Sequence, residues 1–345
     1  MRAVVVSEFA REPELVDVPD PEAPHDGVVV AVEATGLCRS DWHGWMGHDD
    51  GIALPHVPGH ELAGTVIKVG RNVRLWAAGD RVTVPFVLAC GDCRSCARGD
   101  SQVCERQEQP GFTRWGSFAD QVALPRADVN LVRVPSDVES DVAASLGCRF
   151  ATAYRAVAQV AGVSAGDNVV VHGCGGVGLS AIMVAVALGA RVLAVDVAPA
   201  SLELAEQLGA LPVAANDVAA LPDLTDGGAD VSLDAFGSRA TLSASVACLR
   251  PRGRHVQVGL LGGDDAAPRV DMSRVVAQEL QLLGSHGMAA SAYPEMLALV
   301  AAGRLRPQQL LRERISLEEA GPRLAILGEP GAGTGGITVI RPDQS

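Results

Sequence analysis

Residues 168–178 read NVVVHGCGGVG and run directly into VGLSAIMVAVALG. An apolar run of strand length, a glycine-rich turn and a long apolar helical pattern in that order leave few folds open. Each of the three spaced glycines has its own steric reason. Gly173 permits a tight turn, Gly175 lets backbone approach a phosphate, and Gly178 lets the helix pack on the strand. Phosphates would then meet the unpaired N–H groups and positive end of the helix. With 38 glycines in the chain such a spacing arises easily by accident, so its position between strand and helix carries the weight. The whole stretch, Gly176 and Val177 included, is expected to cradle a dinucleotide.

The same grammar continues beyond it. RVLAV, DVSLDAF and GRHVQVG are near-continuous apolar strands, as expected where both sheet faces are covered. The helical patterns SLELAEQLGA and RATLSASVACL separate them, and strand–helix alternation means a parallel, doubly wound sheet. Asp196 ends RVLAV 18 residues after Gly178, close to the roughly 20 typical of an acid that binds ribose hydroxyls. Its carboxylate accepts both hydroxyl hydrogens and repels a 2′-phosphate. Residues 197–201 hold no Arg or Lys to compensate, which predicts NAD over NADP.

Before residue 150 the text is different: GVVVAVEATG, ELAGTVIKVG and DRVTVPFVL are short β-rich runs bounded by turn residues. After Gly284 the pattern loosens to a helix in YPEMLALVAAG, a Gly-rich loop in EPGAGTGG (329–336) and a last strand in GITVIRP, a tail expected to return to the first domain. Two domains are the natural expectation for 345 residues. A net charge of −13 without a Lys/Arg block argues against nucleic acid or an anionic membrane as partner. No apolar run approaches the roughly 18 residues of a membrane span. The opening MRAVVVSEFA reaches Glu8 after three valines, too short a run for a signal peptide. A cytoplasmic location is therefore expected, and the eight cysteines read as thiolates rather than disulfides.

Four of them, Cys90, Cys93, Cys96 and Cys104, follow C-x2-C-x2-C-x7-C within 15 residues. Four thiols so spaced can close around one tetrahedral Zn²⁺ and leave no position open, a structural arrangement. A second set is dispersed: Cys38 in GLCRSDWH, His60 and Glu61 in VPGHELAG, and Cys148 in LGCRFATAY. Singly, each has a plain alternative: Cys148 as a small core residue, His60 as a capped loop residue. Together they supply two thiolates and an imidazole, and three protein ligands leave zinc one position for a substrate oxygen.

GLCRSD, PGHELAG, the four-cysteine lobe, GDRV (79–82), GCRFATAY and GCGGVG occur in one order. In that combination the chain resembles the zinc-containing medium-chain alcohol dehydrogenases over essentially its whole length. The resemblance implies an α/β fold: a GroES-like β-barrel catalytic domain (1–150, with a zinc lobe at about 88–106), a Rossmann doubly wound parallel sheet (151–285), and a segment 286–345 returning to the first domain. It implies two zincs per chain, with Cys38, His60 and Cys148 on the catalytic one and Glu61 as an exchangeable neighbour. It casts Asp41 as the carboxylate that orients the zinc histidine, Ser40 and His43 as a proton relay through the cofactor ribose, and Arg39 and Thr152 as cofactor contacts. Trp45 and Phe86 fall where the family lines its alcohol pocket, suggesting small or unhindered alcohols; simple loop packing is the alternative for Trp45. His48 and His56 share that loop, with the ligand set already complete without them. Cys148 as third ligand favours alcohol over polyol dehydrogenases, and the 43 residues between Cys104 and Cys148 resemble the compact tetrameric members. Ser201 stands where many NAD-dependent members carry a lysine. The expected activity is reversible hydride transfer between an alcohol and NAD in a homotetramer. The alternatives are a polyol, amino-alcohol or specialised biosynthetic dehydrogenase, and a sensor binding zinc and NAD without turnover.

Overall fold

The computed structural model describes residues 1–329 and 336–343. Six strands form a wholly parallel sheet in the order Leu211–Ala214, Arg191–Asp196, Asn168–His172, Ala229–Asp234, Leu249–Gln257, Gln281–Gly284. The order in which strands are added reverses beside Asn168–His172, so a crevice opens at its carboxyl end, where such sheets bind ligands. The strand is apolar throughout because both faces are covered. Val169 and Val171 join Leu179 and Ile182 of helix Gly176–Ala187 in one core, while Val170 meets Leu242 and Val246 of helix Arg239–Ala247 in another. All three valines are fully buried, each contributing roughly 1.5–3 kcal/mol of apolar transfer.

A second, mixed sheet takes Leu311–Ser316, Ile337–Arg341, Val28–Leu37, Glu61–Val69, Arg81–Thr83 and Val132–Arg133 in that order, with Gln121–Leu124 also on Val28–Leu37. The strand expected across DRVTVPFVL keeps only Arg81–Thr83. Pro85 has no N–H for a ladder, and Phe86 instead donates its N–H to the carbonyl of Gly147 at 3.1 Å. The tail strand Ile337–Arg341 runs antiparallel to Val28–Leu37, with Thr338 opposite Leu37. Of the expected loop 329–336, only Glu329 and Gly336 fall within the described residues.

Between the two sheets runs a helical segment from Ser140 to Val160, α-helical at Ser140–Ser145 and Ala151–Tyr154, with wider π turns at Leu146–Phe150 and Arg155–Val160. The boundary expected near 150 thus falls inside continuous helix. A π turn inserts a residue and redirects side chains, and such turns concentrate at functional sites. The first of them carries Cys148 and Arg149.

Candidate active site

GLCRSDWH is helical from its second half onward. Cys38 follows strand Val28–Leu37 and caps helix Arg39–Trp45. Asp41, at the third helical position, accepts the Cys38 backbone N–H at 2.9 Å. The same carboxylate accepts the Gly59 N–H at 3.1 Å and the Nδ1–H of His60 at 2.9 Å. Asp41 and His60 are each 1% exposed. One acid therefore closes the helix start and fixes the histidine's tautomer, leaving His60 Nε2 buried and without a hydrogen-bond partner. A buried nitrogen lone pair with no partner costs free energy unless a ligand takes it.

A ring nitrogen of His60 lies within 4.8 Å of Sγ of both Cys38 and Cys148, the sulfurs are as close to each other, and Nε2 is the nitrogen Asp41 leaves free. The Cys38 thiol is held well below the ordinary thiol range, first by a hydrogen bond with Cys148, against burial, with help from Arg149 and His60. The same bond, together with burial, pushes Cys148 well up. A divalent ion would let both sulfurs ionise and would use the orphaned nitrogen, so the donor set fits zinc.

Glu61, expected as an exchangeable neighbour of the zinc, is paired with Arg149 in this conformation. Fully buried, it accepts hydrogen bonds from Arg149: the backbone N–H at 2.9 Å and Nε at 3.0 Å to each oxygen, with Nη2 on Oε2 as well. In this conformation both of its oxygens are engaged. Arg149 was not singled out from the sequence. It is 7% exposed and also packs under the glycine turn, where a Cβ on Gly176 would meet its Cδ at 2.6 Å.

The turn itself has the steric form the sequence predicts. Gly173 has φ +91°, and a Cβ on Gly178 would lie 1.7 Å from the Gly173 carbonyl. A Cβ on Gly175 meets nothing within 4 Å, so open space lies over the start of helix Gly176–Ala187. The cap residue there supplies no side-chain acceptor, which leaves the first N–H groups for an anion. Asp196 Oδ2 accepts the Cys174 N–H at 2.6 Å and Oδ1 the Ala198 N–H at 2.8 Å. A carboxylate has about four acceptor positions, so two remain for ribose hydroxyls. Thr152 is buried with an unpartnered hydroxyl. Ser201 is 2% exposed.

Ser40 Oγ is 3.8 Å from Cys38 Sγ. Arg39 lies over the Trp42 ring at 5.1 Å and donates to the Leu327 carbonyl. His43 sits at the helix end, its Nδ1 3.0 Å from Nδ1 of His48. Phe86 stands edge-on to His60 at 6.4 Å and to His286 at 5.1 Å, and Phe112 lies 5.1 Å from His60. Trp45 is not brought to this group. Its indole N–H donates to the Arg11 carbonyl at 2.6 Å, and it packs with Leu37, Val57 and Phe118. Phe112 and His286 supply aromatic walls that the sequence did not point to.

The four-cysteine lobe is a separate cluster. Its Sγ separations are 3.4 Å (93–96), 3.8 Å (93–104) and 3.9 Å (90–96). A tetrahedron with ~2.3 Å metal–sulfur bonds has edges of about 3.8 Å. The thiols are free, and Cys93 is drawn down to about 6, first by the backbone N–H of Cys96. This set too fits zinc.

Two family profiles match the chain: an alcohol dehydrogenase GroES-like domain over residues 24–136 and a zinc-binding dehydrogenase over 176–302. An alcohol dehydrogenase of Geobacillus stearothermophilus is 32% identical over 89% of this chain and 90% of its own length. An NAD-dependent alcohol dehydrogenase of Sulfurisphaera tokodaii is 32% identical over 93% and 94%. The solved alcohol dehydrogenase TADH from Thermus sp. ATN1 superposes with a TM-score of 0.91 at 33% identity, covering 99% of each chain.

Proposed function

The chain belongs to the zinc-containing medium-chain alcohol dehydrogenases, and we propose that Cys38, His60 and Cys148 form the centre at which it exchanges hydride between an alcohol and NAD. Zinc held there supplies a Lewis acid for the alcohol oxygen, and NAD supplies the hydride acceptor. The observation that carries the assignment is His60 Nε2, buried and unpartnered between two thiols, with Asp41 locking the ring from behind. Such outer carboxylates fix ring orientation and raise ligand basicity.

The remaining roles belong to this chain's own side chains. Gly173 to Gly178 and the helix start receive the pyrophosphate, Arg39 adds a cation to it, and Asp196 accepts the ribose hydroxyls. The open hydroxyl of Thr152 is available to the cofactor. Ser40 is near enough to Cys38 to meet a substrate oxygen at the same centre, and its hydroxyl passes the alcohol proton towards His43. Burial, then His48 and Arg39, lower the pKa of His43, so its ring is neutral and able to accept near pH 7. Phe86 and Phe112 narrow the approach to His60, which supports small, unhindered alcohols and their carbonyl products.

The lobe of Cys90, Cys93, Cys96 and Cys104 is proposed to hold a second, structural zinc. The sheet edge Gln281–Gly284, with Leu282 exposed, and the preceding helix Met272–Ala277, with Met272 and Val276 exposed, support association of copies, proposed to be a homotetramer and to be measured by light scattering. No helix among the described residues is long and apolar enough to cross a membrane; a cytoplasmic site of action and the division into 1–150, 151–285 and 286–345 are part of the same proposal. Metal analysis with NADH absorbance over an alcohol panel tests it together with Ser40→Ala. Two zincs per chain, turnover of short alcohols and a loss of about 10²-fold in kcat for Ser40→Ala, the usual scale of acid–base contributions, are expected. One zinc per chain, or an unaltered Ser40→Ala rate, would remove the corresponding assignment.

A further inference from the structure

Helix Arg39–Trp45 ends in a complete left-handed cap. The Gly47 N–H bonds the Gly44 carbonyl at 3.1 Å, the His48 N–H bonds the His43 carbonyl at 3.0 Å, and Gly47 has φ +77°. In this motif the residue two beyond the helix cap folds back on the residue three before it, usually through an apolar contact. Here those two residues are His48 and His43, and the contact is an Nδ1-to-Nδ1 hydrogen bond of 3.0 Å. Trp42 stands edge-on to both rings, at 4.9 Å and 5.6 Å, and restricts their rotation. A Cβ on Gly47 would press on the Phe9 ring at 3.1 Å, so the turn is also packed from below. Backbone, cap and ring contacts therefore converge on one imidazole pair, in which His43 and His48 are both exposed and the Nδ1 of His43 is occupied by His48.

We infer that His48 is the second base of a two-imidazole exit path, carrying to solvent the proton that His43 receives. This rests on the relay assigned above to Ser40 and His43. Two facing nitrogens at hydrogen-bond distance require one to bear the hydrogen and the other the lone pair. With the hydrogen on His43 Nδ1, a proton arriving at His43 Nε2 makes an imidazolium. The Nδ1 hydrogen then passes to His48 Nδ1, and His48 releases the hydrogen on its own Nε2 to water. One proton enters, one leaves, and no other bond changes; solvent exchange restores the starting tautomers once product has gone. Arg39 and the Cys38 sulfur are the other charged groups acting on His43. The loop acids Asp49 and Asp50 adjoin His48, and Asp49 Oδ1 accepts the Gly51 N–H.

The test uses zinc-loaded enzyme with NAD and trifluoroethanol, an alcohol that binds but resists oxidation, with proton release followed by an indicator dye in a stopped-flow cell. Turnover of ethanol is measured in parallel at low and high buffer concentration. His48→Ala and His48→Phe should slow proton release and kcat about 10-fold in dilute buffer, less than the ~10² expected of a primary base because His43 remains. Added imidazole should restore most of the loss in His48→Ala and little in the space-filling His48→Phe. A rate in His48→Ala equal to wild type and independent of buffer, with His43→Gln impaired, would end the path at His43 and overturn the inference. A loss that imidazole leaves untouched in both variants would make His48 a packing residue and overturn it equally. If His43→Gln and Ser40→Ala also release the proton at the wild-type rate, the underlying relay falls, and this extension with it.

Discussion

In the lobe, four thiols come from 15 consecutive residues, and among the described residues the buried cluster around Cys93 and Cys104 adds just Ala89. In the pocket, two thiols and an imidazole come from positions 38, 60 and 148, on three different elements, and are held by other side chains. Asp41 fixes His60, and Arg149 fixes Glu61 from the turn that presents Cys148. The lobe has almost nothing but its ligands to pack, so its metal would act as its core, as in small zinc modules. The pocket keeps its shape through hydrogen bonds that exist before any ion arrives. Under the proposed function the two clusters of the same sulfur chemistry would differ in what ion loss removes: fold in one, reactivity in the other.

The sharpest way to break that contrast exchanges the two phenotypes. Cys148→Ala should lower kcat by about 10³-fold or more, since Lewis-acid stabilisation is worth several kcal/mol, with little change in Tm and one zinc fewer per chain. Cys104→Ala should also lose one zinc, yet open residues 90–106 to protease and lower Tm while intact molecules keep most of their rate. A rate loss in Cys104→Ala without local opening would erase the distinction. Next in size is Arg149→Met, which leaves the buried Glu61 carboxylate uncompensated, at a cost of about 3–5 kcal/mol in urea unfolding. The double variant with Glu61→Gln should recover a large part of it; no recovery would mean that Arg149 acts through packing alone. Asp41→Asn should weaken zinc binding in the pocket by about 10–100-fold and leave the lobe's zinc unaffected, measured by competition with a chelator. Smallest is cofactor choice: NAD should exceed NADP by at least about tenfold in kcat/KM through Asp196, and equal use of the two would remove that role.

The same contrast explains what the sequence made legible. The glycine turn, Asp196 and the lobe are local, each within a few residues of chain, and their stereochemistry is written in spacing. The pocket needs contacts across 88 residues to bring Arg149 onto Glu61, and no periodicity records such a meeting. Helix Arg39–Trp45 escaped notice because two tryptophans, a histidine and Gly44 are weak helix formers; its capping acid Asp41 was the available signal. Trp45 is apolar and close in sequence to Cys38, but spacing alone does not say which neighbour a buried helical face meets. That face turned out to be the Leu37, Val57 and Phe118 core.

Cys38 begins its existence beside an incomplete sheet, because Ile337–Arg341 supplies the strand that pairs at Leu37. At translation speeds of ~5–20 residues per second, about 15–60 s separate the two segments at the ribosome. In that interval the parallel sheet between them has been synthesised in full, while the Cys38 thiol waits in an unfinished wall. The zinc site proposed at Cys38 would therefore gain its last bordering strand only when nearly the whole chain has been made.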